Sequence, residues 1–285
     1  MKEKTKGLII DIIIYALAFG LGVVPFIFVE NIFLATALFT IVATIVTFIF
    51  SVIFKDVSIY DPYWSVAPVV MIILDMIKYK LWNINSIIIF AIILIWAIRL
   101  TVNWFITYKG LGYEDWRYRK YREKYNPFIF QVISFVGLHF IPTIVVYSSL
   151  VSAIFAIQVE TFSYLSIIGI VISLFAVTLE FISDTSIHKF LKIHQGEHKT
   201  CNISVWKYSR HPNYLGEMSF WIGLYFYFLF INLDIWYLGL GVLLIVFLFL
   251  FISIPLMEKH NLERREDYQE YKEKTSMILI LPNKK

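Results

Sequence analysis

Cysteine is almost missing from this chain: Cys201 is the only one in 285 residues. That excludes an internal disulfide and any Cys-x-x-Cys metal or redox site. Charge is scarce too. Asp, Glu, Lys and Arg make up 16% of the residues, where a soluble domain carries about 25%. Several motifs are also missing. No Gly-x-Gly-x-x-Gly follows a strand, no Walker lysine motif is present, and His-Glu-x-x-His does not occur. Gly110-Leu-Gly112 is only a partial glycine match inside a basic loop. The six histidines fall at no metal-binding spacing, and His188, His194 and His198 are spread along one loop. A Rossmann cofactor domain is therefore excluded, and no metal is expected. The net charge of +4 is too small to suggest nucleic acid as a partner.

Apolar sequence fills the space. Hydrophobic residues make up 59% of the chain, and the mean hydropathy is +0.72. Runs of roughly 20 apolar residues recur, each long enough to cross about 30 Å of hydrocarbon. In lipid such a run must be helical, because a lone strand leaves its backbone hydrogen bonds unmade. The pattern predicts an all-α, polytopic transmembrane helix bundle of about seven to eight spans, forming one integral membrane domain over residues 1–285. The spans fall near 8–29, 32–54, 62–77, 84–107, 128–157, 162–183, 214–231 and 235–257. The 62–77 segment is short enough to be re-entrant, and Pro142 predicts a kink in 128–157. Ala16 and Ala18 resemble a cleavage site, but the apolar run continues past them, so the first segment reads as an uncleaved span.

Lysine and arginine set the orientation. One side holds the N-terminal lysines, Lys55, the 109–124 and 188–212 loops and the tail from Lys259; the other holds only Lys78 and Lys80. By the positive-inside rule both termini are cytoplasmic. Any water-soluble chemistry is then expected on that cytoplasmic face.

Four polar groups stand out against this background. In "LEFISD", Glu180 and Asp184 are four apart on one helix face, with Glu180 directed inward; Asp184 is either a ligand contact or an interfacial partner of Lys189 or Lys192. In "SRHPNYLGE", Pro212 suits a first helical turn, and the free N–H groups after it, beside Arg210, attract phosphate. Asn213 suits an amide or ribose hydroxyl, and Glu217 lies one turn deeper. The alternative reading makes Trp206, Tyr208, Tyr214 and Trp221 interfacial belt aromatics. In the tail, Glu258 and Tyr271 are candidates amid a charge-rich stretch that otherwise reads as a solvated face. In the first half, Asp61 opens a span and Arg99 lies inside one; they either pair with each other or meet a ligand. Asp75 reads as a lone polar residue near a span end.

Together, "SRHPNYLGE…FWIG", the acidic pair and "ME…YQEYKEKTSMILILP" resemble the C-terminal half of the steroid 5α-reductase family. "DPYWSV", "RLTVNW" and "GLGYEDWRYRKYREKY" bring the chain nearer to a largely bacterial sister family of unknown function. Isoprenylcysteine carboxyl methyltransferases are more distantly similar, through Arg-His-Pro-x-Tyr-x-Gly. The resemblance covers roughly residues 61–282, with 128–285 matching the cofactor-binding core. It implies cytoplasmic loops that clamp NADPH in a bacterial cytoplasmic membrane. Asp184, Asn213, Glu217 and His260 are the implied cofactor contacts, with Glu180, Arg210, Tyr214 and Glu258 as further ones. The Glu and Tyr that grip the steroid carbonyl in characterised reductases have no counterpart in the first half.

The expected activity is NADPH-dependent reduction of an activated C=C bond in a steroid-like or other lipid-soluble substrate. Arg99 and protonated Asp61 are the candidates for bonding the enone oxygen, and Tyr63 is a further donor. The alternative is an S-adenosylmethionine-dependent membrane methyltransferase, to which Arg210, His211, Tyr214 and Glu258 are also suited. A third class is a non-enzymatic lipid-binding or transport scaffold.

Overall fold

A computed structural model of the chain describes residues 2–283. It is all-α and polytopic. Among the described residues no strand is present, and the only sheet-like pairing is a parallel bridge between Ser209 and Ser276. Among the described residues seven helical stretches are long and apolar enough to cross a membrane, so this is an integral membrane protein. The chain divides into two compact units, one ending at Phe162 and the other beginning at Ser163.

The first unit contains α1 (Lys2–Gly22), α2 (Val24–Phe28), α3 (Ile32–Phe54), α4 (Tyr63–Tyr79), α5 (Ile84–Thr107), α6 (Trp116–Lys124), α7 (Pro127–Val132) and α8 (Ile141–Ala156). Asn31 caps α3 by accepting from the Leu34 N–H at 2.9 Å. Asn83 and Ser86 form a reciprocal capping box at the start of α5. Inside α3 the apolar run hides a polar stripe: Thr36, Thr40, Thr44, Thr47 and Ser51 are all buried, three or four residues apart. That spacing places them on one helical face.

The short 62–77 segment belongs to a longer helical stretch that is long and apolar enough to be a full span. A 3₁₀ turn at Val57–Tyr60 leads into α4, giving 23 residues from Val57 to Tyr79. Asp75 is not lone: it is fully buried and meets the Thr36 hydroxyl at 2.8 Å. A polar group at that depth needs a partner, and the stripe supplies one.

Pro142 acts differently from a simple kink. A π-helical stretch, Ile133–Phe140, joins α7 to α8 and ends just before the Ile141-Pro142 pair. The same arrangement recurs at Phe249–Ser253, just before Ile254-Pro255. Proline offers no N–H and crowds the preceding turn; in both places a wider turn stands directly N-terminal to it.

The second unit contains α9 (Ile167–Ile193), α10 (Pro212–Leu229), α11 (Leu240–Leu248), α12 (Ile254–Arg264) and α13 (Tyr268–Lys274). Helices α9 and α10 approach closely because small residues line their contact. A Cβ at Gly169 would lie 2.3 Å from the Tyr227 nitrogen, and one at Gly223 would lie 2.5 Å from Ser173 Oγ. Small residues let helix backbones meet in a membrane, where no hydrophobic force drives them together. Gly216 serves the same contact further along, because a Cβ there would strike Glu180 at 2.4 Å.

Candidate functional site

The start of α10 is held by the C-terminal tail. The Arg210 N–H donates to the Ser276 carbonyl at 2.9 Å, Ser209 Oγ donates to the Ile278 carbonyl at 2.8 Å, and the Leu281 N–H donates to the Tyr208 carbonyl at 3.3 Å. The Tyr271 hydroxyl adds bonds to the Trp206 carbonyl and, at 3.2 Å, to that of Ser209. The tail therefore fixes the segment before Pro212, which local sequence alone leaves free.

Arg210 is the hub of this arrangement. Its Nε donates to Glu258 Oε1 at 2.7 Å, and Nη1 donates at 2.7 Å to both the Lys272 and Thr275 carbonyls. Lys272 Nζ reaches the other Glu258 oxygen at 3.0 Å. One carboxylate thus meets two cations, and among the described residues only Nη2 of the guanidinium has no hydrogen bond. His211 Nε2 sits 3.5 Å from Glu258 Oε1, an ion-pair contact without a well-formed hydrogen bond. Burial pushes the His211 imidazole below its ordinary 6.5, although Glu258 opposes the shift.

Beside this hub lies a cavity of about 140 Å³. Arg210, His211, Asn213, Asn261 and Arg265 supply its polar wall, and Trp206, Tyr214, Tyr268 and Tyr271 supply aromatic faces. Ile187, Thr200, Cys201 and Met257 complete the lining, which contains no Asp or Glu. Some of its polar atoms are only weakly bonded. His211 Nε2 and Tyr268 Oη are buried without a well-formed hydrogen bond. The Arg265 guanidinium makes no hydrogen bond or ion pair among the described residues. Buried polar groups are nearly always bonded in native proteins, so orphans converging on one hollow mark a place for a ligand. Burial also raises the Tyr268 and Tyr271 phenols and the Cys201 thiol, so all three are neutral at neutral pH.

The structure brings five of the ten expected cofactor contacts to this cavity: Arg210, His211, Asn213, Tyr214 and Tyr271. Glu258 is not in the lining, because Arg210 and Lys272 occupy its oxygens. Glu180, Asp184, Glu217 and His260 are not in the lining either. Glu180 is fully buried against Gly216, as its inward direction predicted, and Asp184 is half-buried on the same helix. Glu217 is buried and accepts from Trp221 Nε1 at 3.1 Å. His260 Nε2 lies 3.5 Å from the Arg264 guanidinium on α12.

The belt reading fails for the two tryptophans. Trp206 and Trp221 are buried, and Trp206 Nε1 donates to the Ser183 carbonyl at 2.9 Å. Tyr214 stacks on His211 with ring centroids 5.4 Å apart and also packs on Phe249. Asn261, Arg265 and Thr200 were not singled out by sequence reasoning. Thr200 accounts for the neighbouring acid: its N–H and hydroxyl bind Asp267 at 2.9 and 2.6 Å.

Asp61, Tyr63 and Arg99 belong to the first unit. Asp61 accepts from the Tyr118 hydroxyl at 2.7 Å. Tyr63 is buried and donates to the Thr40 carbonyl at 3.0 Å. Arg99 is half-buried on α5. Around Asp61 the "GLGYEDWRYRKYREKY" stretch is a structural knot. Gly112, with a φ of +86° that favours glycine, donates its N–H to Asp56 at 2.7 Å. Glu114 accepts from the Val57 N–H at 3.0 Å and from both Nε and Nη2 of Arg122, at 2.9 and 2.6 Å. Gly112, one of the two glycines that partly match a nucleotide motif, thus fastens the α3–α4 connection.

No curated protein and no solved structure matches the chain. A family model does: it matches residues 47–275, most of the sequence, and the chain belongs to that family, described as protein of unknown function (DUF1295).

Proposed function

We propose that this protein is a membrane-embedded, NADPH-dependent reductase of an activated C=C bond in a steroid-like or other lipid-soluble substrate. The observation that carries this reading is the charge of the cavity lining: two arginines, a neutral buried histidine and no carboxylate. Such a wall favours phosphate over a cationic ligand. The likeness of "SRHPNYLGE" and the tail to the steroid 5α-reductase family points the same way.

The residues present fit parts of a dinucleotide. Arg265 and Nη2 of Arg210 have donors to give a phosphate, while Asn213 and Asn261 offer amides to ribose hydroxyls or a carboxamide. The cavity's aromatic faces suit a planar ring. Bound NADPH would supply a hydride to one carbon of the double bond, with a proton completing the other. The protein's part is to hold the dinucleotide, keep water out and stabilise charge that develops on the substrate oxygen. The lysine and arginine distribution supports a site that faces the cytoplasm, and the family resemblance implies a bacterial membrane.

The runner-up is a methyltransferase using S-adenosylmethionine. Its sulfonium is a cation, and the lining offers no carboxylate to meet it. The test is NADPH binding to the purified protein, followed by nicotinamide fluorescence. Saturable binding that Arg265→Gln weakens about tenfold, the equivalent of roughly 1.4 kcal/mol, is expected. A full-length, folded protein that does not bind NADPH overturns the reading.

A further inference from the structure

The last described stretch of the second unit, residues 276–283, has two unlike sides. Its polar side is bonded to residues 208–210: the Arg210 N–H donates to the Ser276 carbonyl, Ser209 Oγ to the Ile278 carbonyl, and the Leu281 N–H to the Tyr208 carbonyl. Its other side is aliphatic and uncovered. Met277, Leu279, Ile280 and Leu281 are each 40–54% exposed, four large apolar side chains within five residues. A contiguous apolar patch of this kind marks a place where a protein or a membrane sits. Pro282, which has no N–H, then follows the last of the bonded residues.

What covers the patch follows from its depth along α9. Trp206, two residues before Tyr208, donates its indole N–H to the Ser183 carbonyl at 2.9 Å, and the Tyr271 hydroxyl bonds the Trp206 carbonyl. The tail is therefore pinned near Ser183, whereas α9 runs ten residues further, to Ile193. At 1.5 Å per residue that is about 15 Å. Phe181 and Ile182 are exposed at the level of the tail. Beyond it Leu191 and Ile193 are still exposed, now interleaved with exposed Lys189 and Lys192. That mixture belongs to the border between hydrocarbon and headgroups, and the tail lies short of it. The backbone sets the opposite limit. Among the described residues only two hydrogen bonds reach the main chain of residues 277–281, and the hydrocarbon core would leave the other groups unmade.

We propose that this tail is a membrane-interface anchor. Its aliphatic side is seated among the outermost acyl carbons of the leaflet in which α9 ends, while its polar side holds the opening of α10. The partner is the lipid surface itself, not a protein. Arg210 and His211 lie at or directly after the clamped residues, so the lipid contact also steadies one wall of the cavity. The proposal does not depend on what that cavity binds.

The test measures where the tail sits. The full chain carrying Cys201→Ser, which removes its single cysteine, is spin-labelled through Ile280→Cys and placed in nanodiscs of phosphatidylcholine and phosphatidylglycerol. Collisions of the nitroxide with oxygen, which concentrates in lipid, are compared with collisions with a water-soluble nickel chelate. Leu243→Cys on α11 gives the lipid reference, and His198→Cys on the loop after α9 gives the water reference; both residues are exposed. The oxygen-to-nickel ratio at position 280 is expected to be several-fold above that at 198 and nearer to that at 243. A ratio matching position 198 places the tail in water and overturns the proposal. Low collision rates with both probes, the sign of a second copy or another protein segment over the tail, overturn it as well. Leu279→Cys repeats the measurement if the first variant misfolds.

Discussion

Arg210 and Glu258, 48 residues apart in sequence, are joined at 2.7 Å with each side chain only about one-tenth exposed. This pair ties the opening of α10 to α12, and through the Lys272 and Thr275 carbonyls it ties both to the tail. Breaking one side of a buried pair leaves an uncompensated charge and costs about 3–5 kcal/mol. Glu258→Ala is therefore expected to lower Tm sharply in detergent. Glu258→Gln, which keeps an acceptor for Arg210, should lower it less. Equal, negligible shifts would show that the pair does not hold the segment.

The α9–α10 contact makes a sharper demand. Gly169→Ala would place a methyl group 2.3 Å from the Tyr227 nitrogen, a backbone atom that cannot swing aside. Overpacking of this kind costs roughly 1–3 kcal/mol or more. Gly20→Ala is the control, since a Cβ there meets nothing within 4 Å and the residue is helical. Thermal melts should separate the two, with the control unchanged or slightly more stable.

Acid should weaken the second unit through His211. Its pKa is pushed below the ordinary 6.5, mainly by burial, so the unfolded chain takes up the proton first as pH falls. Stability is then complete above the ordinary value and declines as pH drops through it toward the folded value. Tm is expected to fall as pH drops below about 6.5, the ordinary imidazole value, and to fall less in His211→Asn. A pH profile that the substitution does not alter would contradict this.

The knot in the first unit is testable apart from any ligand. Glu114→Ala removes the acceptor for the Val57 N–H and the partner of Arg122, and Glu114 is buried. A loss of about 1–3 kcal/mol is expected, visible as faster proteolysis of the 108–115 loop before α6. An unchanged cleavage rate would mean that the knot is not what orders the loop.

Much of this was legible in sequence because it is local or periodic. The spans follow from apolar runs, and the inward side of Glu180 follows from its depth in a helix. The threonine stripe of α3 is legible in principle from its spacing, but threonine barely disturbs an apolar run and so does not stand out from it. The cavity was legible only by half. Arg210, His211, Asn213 and Tyr214 lie in one compact stretch, whereas Asn261 and Arg265 sit in a charge-rich tail that reads as a solvated face. They reach the cavity because the tail folds back on residues 208–210, a long-range pairing that no local pattern announces. Glu258 shows the converse: a strong local candidate that lies outside the cavity lining, its oxygens held by Arg210 and Lys272.

The most direct measurement compares thermal stabilisation of the purified protein by NADP⁺ and by S-adenosylhomocysteine, side by side, in wild type and Arg265→Gln. A carboxylate-free basic cavity predicts that NADP⁺ raises Tm, that Arg265→Gln removes most of the rise, and that S-adenosylhomocysteine has little effect. Stabilisation by S-adenosylhomocysteine alone, or by neither ligand, would contradict it.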